Sequence, residues 1–571
     1  MMYRIKQSLL LLFVAGSLLT TTAQTSKEDV PHGWHLKDRQ KDGYYGISLD
    51  QAYDFVKNKK SKTVIVAVID SGIDTLHEDL KSVLWTNTKE IAGNGIDDDK
   101  NGYIDDVHGW NFLGGKDGRN VTKDSYEAAR FYHKHKERFQ KITDTTSLTG
   151  SDTELYAEWK RAQTNIVGGS STSGLDLILL KRTFNAAMGS DSILRKGMGK
   201  EKYTGNDLEA FAPVTEDQKK AKSILLLFFT QNSALEMTNE ALLGDFREYV
   251  TGEEQKAEAG DKAPTNYRGD IVKDNYSDFT DRYYGNNNIM VDLDGAKHGT
   301  HVAGIIAAAR KNGKGMDGIA NDVKIMAIRA VPDGDEHDKD IALAIRYAVD
   351  NGAKVVNMSF GKSFSPEKHW VDEAVKYAES KGVLLVHAAG NDGANLDSSH
   401  NFPSPTFKAD KKIATNWITV GASGDPKSGG LVAYFSNFGK KEVDVFAPGV
   451  KIYSSVPGGN TYANLQGTSM AAPVVAGVAA FLLNYYPTLT PQQVKYVIET
   501  SAVKPSTKVK SPGGDEMMEL SEISKTGGIL NAYEAAVLAE KISSGKPHAT
   551  TNKNIKAPSA KQKKQKAKKA F

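Results

Sequence analysis

The 571-residue chain contains no cysteine, and this absence removes several kinds of chemistry at once. A thiol nucleophile, a thiolate metal site, a disulfide and a cysteine-borne lipid anchor are all excluded. The net charge is only +3, and we expect no specific nucleic-acid partner. Beyond the N-terminus no apolar run predicts a membrane span, and the longest burst, "ILLLFF" at residues 224–229, is typical of one buried helix face. We therefore expect no transmembrane anchor.

The two ends of the chain differ from its body. Arg4 and Lys6 precede an apolar run over residues 9–19 and small residues up to Ala23, which predicts a secretory signal peptide over residues 1–23. We therefore expect an extracytoplasmic protein, secreted or periplasmic. Residues 546–571 carry nine lysines and no acid, so residues 541–571 are predicted to be a disordered basic tail. Association of this tail with an anionic surface stays open.

Buried strands and amphipathic helices alternate along most of the chain. "TVIVAVID" at residues 63–70 is a continuous β-branched run, and "VKIMAIRAV", "AKVVNMSF", "GVLLVHAAG" and "WITVGA" resemble it. Helical patterns such as "DIALAIRYAVDNG" lie between them. This alternation predicts an α/β fold with a mostly parallel sheet and helices on both faces.

One segment interrupts the alternation. Residues 117–285 are rich in Glu, Lys and Ala and read as a mainly helical insertion, for example in "SYEAARFYHKHKERFQ". We therefore expect one catalytic domain in two parts, residues 24–116 and 286–540, with the insertion between them.

Three polar residues stand where strand or loop patterns meet helix patterns. Asp70 ends the first buried strand, His298 opens "HGTHVAGIIAA", and Ser469 opens the apolar helix "MAAPVVAGVAAFLL", with Pro473 in its opening turn. Singly they are typical of a turn residue, a core histidine and a helix cap. Together they supply a nucleophile, a base that takes its proton, and a carboxylate that fixes the tautomer of the base.

A helix N-terminus behind Ser469 favours a developing oxyanion, because its backbone N–H groups and dipole are positive. A second donor is expected from the side-chain amide of Asn391 in "HAAGN", although an ordinary Gly-Asn turn would explain that residue equally well. The elbow pattern G-x-S-x-G is absent from the sequence, which argues against an α/β-hydrolase.

The segments "VIVAVIDSGID", "HGTHVAG", "NMSFG", "AAGN" and "GTSMAAPVVAG" resemble the signatures of the subtilisin-like serine peptidases, the subtilases. This resemblance spans roughly residues 50–116 and 286–540. It implies Asp70 as orienting acid, His298 as general base, Ser469 as nucleophile and Asn391 as an oxyanion donor. It also implies that the edge formed by three residues pairs with an extended protein or peptide substrate; they are Ser359, Phe360 and Gly361.

The motif "NGIDDDKNGYIDD" carries many carboxylates around a glycine. We expect structural calcium there, because a hard cation relieves the repulsion among these groups; a solvated acidic turn is the alternative. The motif is not an EF-hand, since its twelfth position is His108. By resemblance Asp79 is a further, weaker calcium ligand. The ligands expected in the motif are Asp97, Asp99, Asn101, Asp105 and Asp106.

The chain departs from the family pattern in two respects. The 46 or so residues between Gln24 and Asp70 are too few for the usual inhibitory prodomain, so activation is expected to differ. The insertion separates the Asp and His segments, and we expect it to gate the cleft, restrict substrates, dock a partner or serve as a peripheral decoration. A narrowly specific maturation protease for envelope proteins and a catalytically silent binding protein are the alternatives to a broad endopeptidase.

Overall fold

The computed structural model describes residues 30–168, 174–232, 234–235 and 238–545. The expected signal peptide at residues 1–23 and the lysines from residue 546 onward lie outside the described residues and stay predictions. The described chain divides into two compact units. Ser125–Thr265 forms a helical unit, and the segments on either side of it form a sheet unit.

The sheet unit is built on seven parallel strands. Their order across the sheet is β2-β3-β1-β4-β5-β6-β7. The strands are β1 (Val64–Asp70), β2 (Gly109–Asn111), β3 (Val323–Arg329), β4 (Val355–Met358), β5 (Leu384–Ala388), β6 (Trp417–Ser423) and β7 (Val445–Pro448). Two short antiparallel pairs lie outside this sheet: β8 (Ile452–Val456) with β9 (Thr461–Leu465), and β10 (Val509–Lys510) with β11 (Met517–Met518).

Helices cover both faces of the sheet. The helices of this unit are α1 (Arg39–Asp42), α2 (Leu49–Val56), α9 (Tyr267–Ile271), α10 (Lys297–Ala307), α11 (Asp338–Asp350), α12 (Lys368–Lys381), α13 (Thr468–Tyr485), α14 (Pro491–Ser501), α15 (Leu520–Ile523) and α16 (Ala532–Ser543). Alternate strand side chains enter opposite cores: Val66 and Val68 pack with α10 and α13, whereas Ala67 and Ile69 pack with α11 and α12. The predicted α/β fold is confirmed.

Helix α13 passes through the core against the strands of the sheet. Among the described residues it is the one helix long and apolar enough to cross a membrane, a property that the sequence analysis overlooked. However, 83% of that stretch is buried inside the protein. Its apolar character is therefore that of a core helix, which is hydrophobic on all sides.

The helical unit contains α3 (Glu127–Phe139), α4 (Ser151–Gln163), α5 (Gly174–Met198), α6 (Gly205–Ala210), α7 (Glu216–Gln231) and α8 (Asn239–Glu258). Capping boxes begin α6 at Thr204 and α7 at Thr215, where each threonine accepts from the third helical N–H. The burst at residues 224–229 forms a buried face, as predicted, through Leu225, Phe228 and Phe229. The insertion boundaries at residues 117 and 285 stay predictions.

Three histidines of the sheet unit are buried in the neutral form. Burial lowers the pKa of His35 and of His301 to about 3, and that of His387 to about 4. Neither ring nitrogen of His35 has a hydrogen-bond partner among the described residues. In the unfolded chain each ring takes up a proton near its ordinary pKa of 6.5, so acid favours unfolding.

We expect replacement of His35 by leucine to reduce this sensitivity to acid. Above pH 6.5 the His35 ring is neutral in the folded and unfolded states and does not make the free energy of unfolding depend on pH. Below pH 6.5 only the unfolded state takes up the proton, so the free energy of unfolding falls by about 1.4 kcal/mol per pH unit. Between pH 7.5 and 5.0, the free energy of unfolding of His35→Leu should therefore gain about 2 kcal/mol relative to the parent. Guanidinium unfolding at several pH values, with Ser469→Ala in both proteins, measures this difference. Parallel pH curves for the two proteins would contradict it.

Candidate active site

The carboxylate of Asp70 and the ring of His298 meet at the carboxyl end of β1. Asp70 is the last residue of the strand and is 2% exposed, and His298 is the second residue of α10. Nδ1 of His298 lies 2.7 Å from Oδ1 of Asp70, which also accepts a hydrogen bond from the Ser71 N–H. Because a carboxylate accepts, Nδ1 carries the proton and Nε2 is the basic nitrogen.

The close approach of α10 to β1 depends on Gly299. A Cβ at this position would lie 2.2 Å from the carbonyl oxygen of Gly72 and 3.1 Å from Oδ1 of Asp70. Any side chain would therefore push the first turn of α10 away from the strand end. The absence of a side chain at Gly299 lets His298 reach Asp70.

Ser469 lies in the first turn of α13, as its second residue. Its Oγ donates to the carbonyl of Ser359 at 3.0 Å, and Oγ of Ser359 donates back to the carbonyl of Ser469 at 2.9 Å. The sequence analysis placed Pro473 in the opening turn, but it is the sixth helical residue. Since proline has no N–H, the carbonyl of Ser469 lacks its helical donor. The hydroxyl of Ser359 replaces that donor.

Asn391 is held with a defined orientation of its amide. Its Oδ1 accepts from the N–H of Thr468 at 2.8 Å and from the hydroxyl of Thr468 at 3.0 Å. The same hydroxyl accepts from the Gly390 N–H at 3.0 Å. Because these donors occupy Oδ1, the NH₂ group is the part of the amide left to donate. Asn391 thus lies beside the start of the helix that carries Ser469.

Residues 359–361, which the sequence analysis predicts to pair with an extended substrate, directly follow β4. The carbonyl of Phe360 accepts from Nε2 of His387 at 2.8 Å. Gly361 is exposed, and a Cβ there would lie 2.3 Å from Oδ1 of Asn401. The amide of Asn401 in turn donates to the Ala388 carbonyl at 3.1 Å. The edge is therefore packed closely against the segment that follows β5.

Sequence reasoning missed the residues that hold these groups in place. Thr468 orients Asn391, and Asn437 accepts from the Asp392 and Ala394 N–H groups while donating to the Ala389 carbonyl. Asn437 is buried. A buried asparagine in "SNFG" and a threonine at a helix start are weak signals, because either residue occurs in ordinary turns and caps.

Two residues of the acidic motif belong to a cluster of three carboxylates, and the third member, Glu90, was not predicted from the sequence. Oxygens of Glu90, Asp97 and Asp99 lie within 4.8 Å of one another. Glu90, four residues before the motif begins, also accepts from the Asp98 and Asp105 N–H groups. A search for carboxylates that began a few residues before the motif would have included Glu90.

The other residues expected in this site are engaged elsewhere. Asp105 accepts from the N–H groups of Gly93 and Gly95. Asp106 accepts from the Tyr347 hydroxyl and the Asn101 amide, and burial raises its pKa to about 6. These two residues organise the loop and do not join the group of three.

Asp79 belongs to a separate cluster. Its carboxylate accepts from the Asn312 amide at 2.6 Å and from the Tyr462 hydroxyl at 2.8 Å. The side chain is fully buried. Asp79 thus joins the loop after α10 to strand β9, apart from the carboxylates of the acidic motif.

We expect Gly299→Ala to break the contact between Asp70 and His298. The methyl group collides with backbone, a kind of overpacking that costs about 1–3 kcal/mol. Gly189→Ala in α5 is the matched control, because a Cβ there meets nothing within 4 Å and alanine favours a helix. Thermal unfolding and the NMR signal of the His298 Nδ1 proton measure the outcome. Unchanged stability with a retained proton signal would show that Gly299 is not required.

Comparisons with known proteins indicate the family of this chain. A family model described as the subtilase family matches residues 61–533. A thermophilic serine proteinase of Bacillus sp. (strain AK1) is 43% identical over 206 residues, which are 36% of this chain and 45% of that protein. Subtilisin DY of Bacillus licheniformis is 40% identical over 212 residues, which are 37% of this chain and 72% of that protein.

A solved protease structure from Pseudoalteromonas arctica PAMC 21717 is 18% identical and covers 90% of this chain and 100% of its own, with a TM-score of 0.44. The chain matches less than half of the first relative's length and most of the second's. Since the family model spans most of the sequence, this chain belongs to the subtilase family.

Proposed function

We propose that this subtilase is a serine endopeptidase that hydrolyses peptide bonds through an acyl-enzyme. The observation that carries the proposal is the 2.7 Å hydrogen bond between Asp70 and His298 in a chain that also places Ser469 in the first turn of α13. A serine hydroxyl is a weak nucleophile unless a base removes its proton, and a buried carboxylate orients that base.

In the first step the hydroxyl of Ser469 leaves the Ser359 carbonyl and transfers its proton to Nε2 of His298. The oxygen attacks the carbonyl carbon of the scissile bond. Asp70 keeps the proton on Nδ1 and stabilises the imidazolium that forms, while remaining ionised itself.

The tetrahedral intermediate carries negative charge on the former carbonyl oxygen. The NH₂ group of Asn391 and the backbone N–H of Ser469 are the proposed donors, and the dipole of α13 adds to their effect. The two hydrogen bonds from Thr468 to Oδ1 support this role, because they fix the amide before the reaction and leave its NH₂ group as the donor.

His298 then returns its proton to the leaving amine, which departs and leaves the acyl group on Ser469. Water enters, gives a proton to His298 and attacks the ester carbonyl. Collapse of the second intermediate breaks the bond to Oγ of Ser469, which takes the proton back from His298, and releases the acid.

The proposed substrate is an extended peptide that pairs with residues 359–361. Exposure of Gly361 supports this role, because a second backbone can reach exposed backbone groups and pair with them. Pairing through backbone groups favours a broad range of protein substrates.

We expect a peptidyl phosphonate to label Ser469 and no other serine. The adduct, located by mass spectrometry, should disappear in His298→Ala, which lacks the base. Asn391→Ala should lower kcat for a peptide by about 10²–10³ while changing KM little, because the amide acts on the transition state. Asn395→Ala, in the same loop, is the control for Asn391→Ala.

Two results would contradict the proposal. One is a folded protein whose Ser469 resists the phosphonate, which would favour a binding protein on this scaffold. The other is labelling that persists at the same rate in His298→Ala.

We further propose that Glu90, Asp97 and Asp99 hold a calcium ion. Calcium ligands lie about 2.3–2.6 Å from the ion, so two ligand oxygens are at most about 5 Å apart, and the oxygens of this group lie within 4.8 Å of one another. Hydrogen bonds from Asn101 N–H to Asp97 and from Asp98 N–H to Glu90 support the fit, because they orient the carboxylates. The ion would be structural and would take no part in the reaction.

We expect calcium to raise the melting temperature of the Ser469→Ala protein. At 100 times the dissociation constant the gain is about 2.7 kcal/mol. Asp97→Asn with Asp99→Asn should abolish this gain, whereas Asp98→Asn, a neighbour outside the group, should retain it. Equal melting in calcium and in chelator would remove the proposal. A gain that is lost only in Asp79→Asn would assign the ion to the other cluster.

We propose that the protein is extracytoplasmic. The pattern of residues 1–23 supports export, and one relative, 38% identical over 259 residues, is a cell wall-associated protease of Bacillus subtilis. The lysine-rich tail supports association with an anionic surface through its charge.

A further inference from the structure

The first turn of α11 and the residue before it carry four consecutive ionisable side chains, all buried. We name residues 337–340 the α11 junction; they are His337, Asp338, Lys339 and Asp340. Buried charges are costly unless each finds a partner. Each of these four has one, and the partners come from three different parts of the sheet unit.

Three members of the junction hold the segments that flank the helical unit in sequence. Nε2 of His337 lies 2.8 Å from a carboxylate oxygen of Asp124, the last residue before that unit. Lys339 donates to Asp274 at 2.7 Å, and Asp340 accepts from Arg268. These partners follow the unit in sequence, so both of its connections are tied to one helical turn.

The fourth member, Asp338, holds the substrate-binding edge instead. Its Oδ1 lies 2.9 Å from Nζ of Lys362, the residue that directly follows Gly361. The ammonium group also donates to the Glu336 carbonyl at 2.7 Å, and the Lys362 side chain is only 1% exposed. Burial raises the pKa of the Glu336 carboxyl to about 8, and the carboxylate that forms the ion pair with Lys362 is that of Asp338.

The backbone of Lys362 is held as firmly as its side chain. Its N–H donates to the Phe402 carbonyl at 2.9 Å, and its carbonyl accepts from the Phe402 N–H at 2.8 Å. Lys362 therefore joins the α11 junction to the segment around residue 402. Gly361 has no side chain of its own to hold it there.

We propose that Lys362 is a positioning residue for the substrate-binding edge at residues 359–361, anchored by its buried ion pair with Asp338. The proposal rests on the proposed peptidase function. An edge that is ordered before substrate arrives loses less entropy on pairing with a peptide. The anchor therefore strengthens binding of extended peptides and has little part in acylation by a substrate too short to reach the edge.

The test compares a tetrapeptide p-nitrophenyl ester with the acetylated single amino acid ester that has the same cleaved residue. The double variant Lys362→Met with Asp338→Asn removes the pair without leaving a buried charge. We expect its ratio of kcat/KM between long and short esters to fall about tenfold, mainly through KM. Lys362→Gln, which still donates to Glu336, is the second variant if the double variant does not fold.

The matched control is Lys339→Met with Asp274→Asn, an equally buried pair of the same junction that does not touch the edge. We expect it to lower the melting temperature comparably and to leave the ratio within about twofold of the parent. An unchanged ratio in the Lys362 variants, or an equal fall in the control, would overturn the proposal. Phosphonate labelling of Ser469 in each protein separates this outcome from failure of the proposed function itself.

Discussion

The parallel arrangement of the sheet is the constraint on which the site depends. In a parallel sheet every strand ends at the same edge, so polar residues that follow neighbouring strands come together. Asp70 ends β1, Ser359 follows β4 and Asn391 follows β5 by three residues, and these strands are neighbours in the sheet. Helices α10 and α13 then bring His298 and Ser469 in from the face on which both helices pack. A strand running the other way would carry its residue to the opposite edge.

The protein interior near the carboxyl edge of the sheet contains more charged side chains than the core of a globular protein usually does. The free-energy cost of burying a charge is offset only where the charged group has an ion-pair partner, as Lys362 has in Asp338 and Arg268 has in Asp340. Such pairs add little net stability compared with apolar residues, but removal of one member leaves a buried charge. They therefore select one arrangement of the loops that they join. The segments concerned are the one that follows β4, which contains Lys362, and the two that flank the helical unit in sequence.

The parts that could be predicted from the sequence are those encoded locally. A run of β-branched residues indicates a buried strand. Asp70, His298 and Ser469 each lie in a short segment with a distinct sequence pattern. The remaining groups depend on partners distant in sequence: Thr468 locks Asn391 across 77 residues, and Asn312 meets Asp79 across 233. A lone threonine or lysine gives no local sign of such a partner. For the same reason the acidic motif indicated Asp97 and Asp99 but not Glu90.

The position of the helical unit in the sequence explains why the site tolerates it. Asp70 and His298 are separated by 228 residues, yet their side chains touch. The segments on either side of the unit are joined within the sheet unit, since Arg119 donates to Asp270 at 2.8 Å and the Asn111 N–H donates to the Asn286 carbonyl. An insertion whose ends are already together adds little closure entropy as it lengthens. The helical unit also has an apolar core formed by its own residues. The contact between Asp70 and His298 therefore depends on the closed ends and not on the length of chain between them.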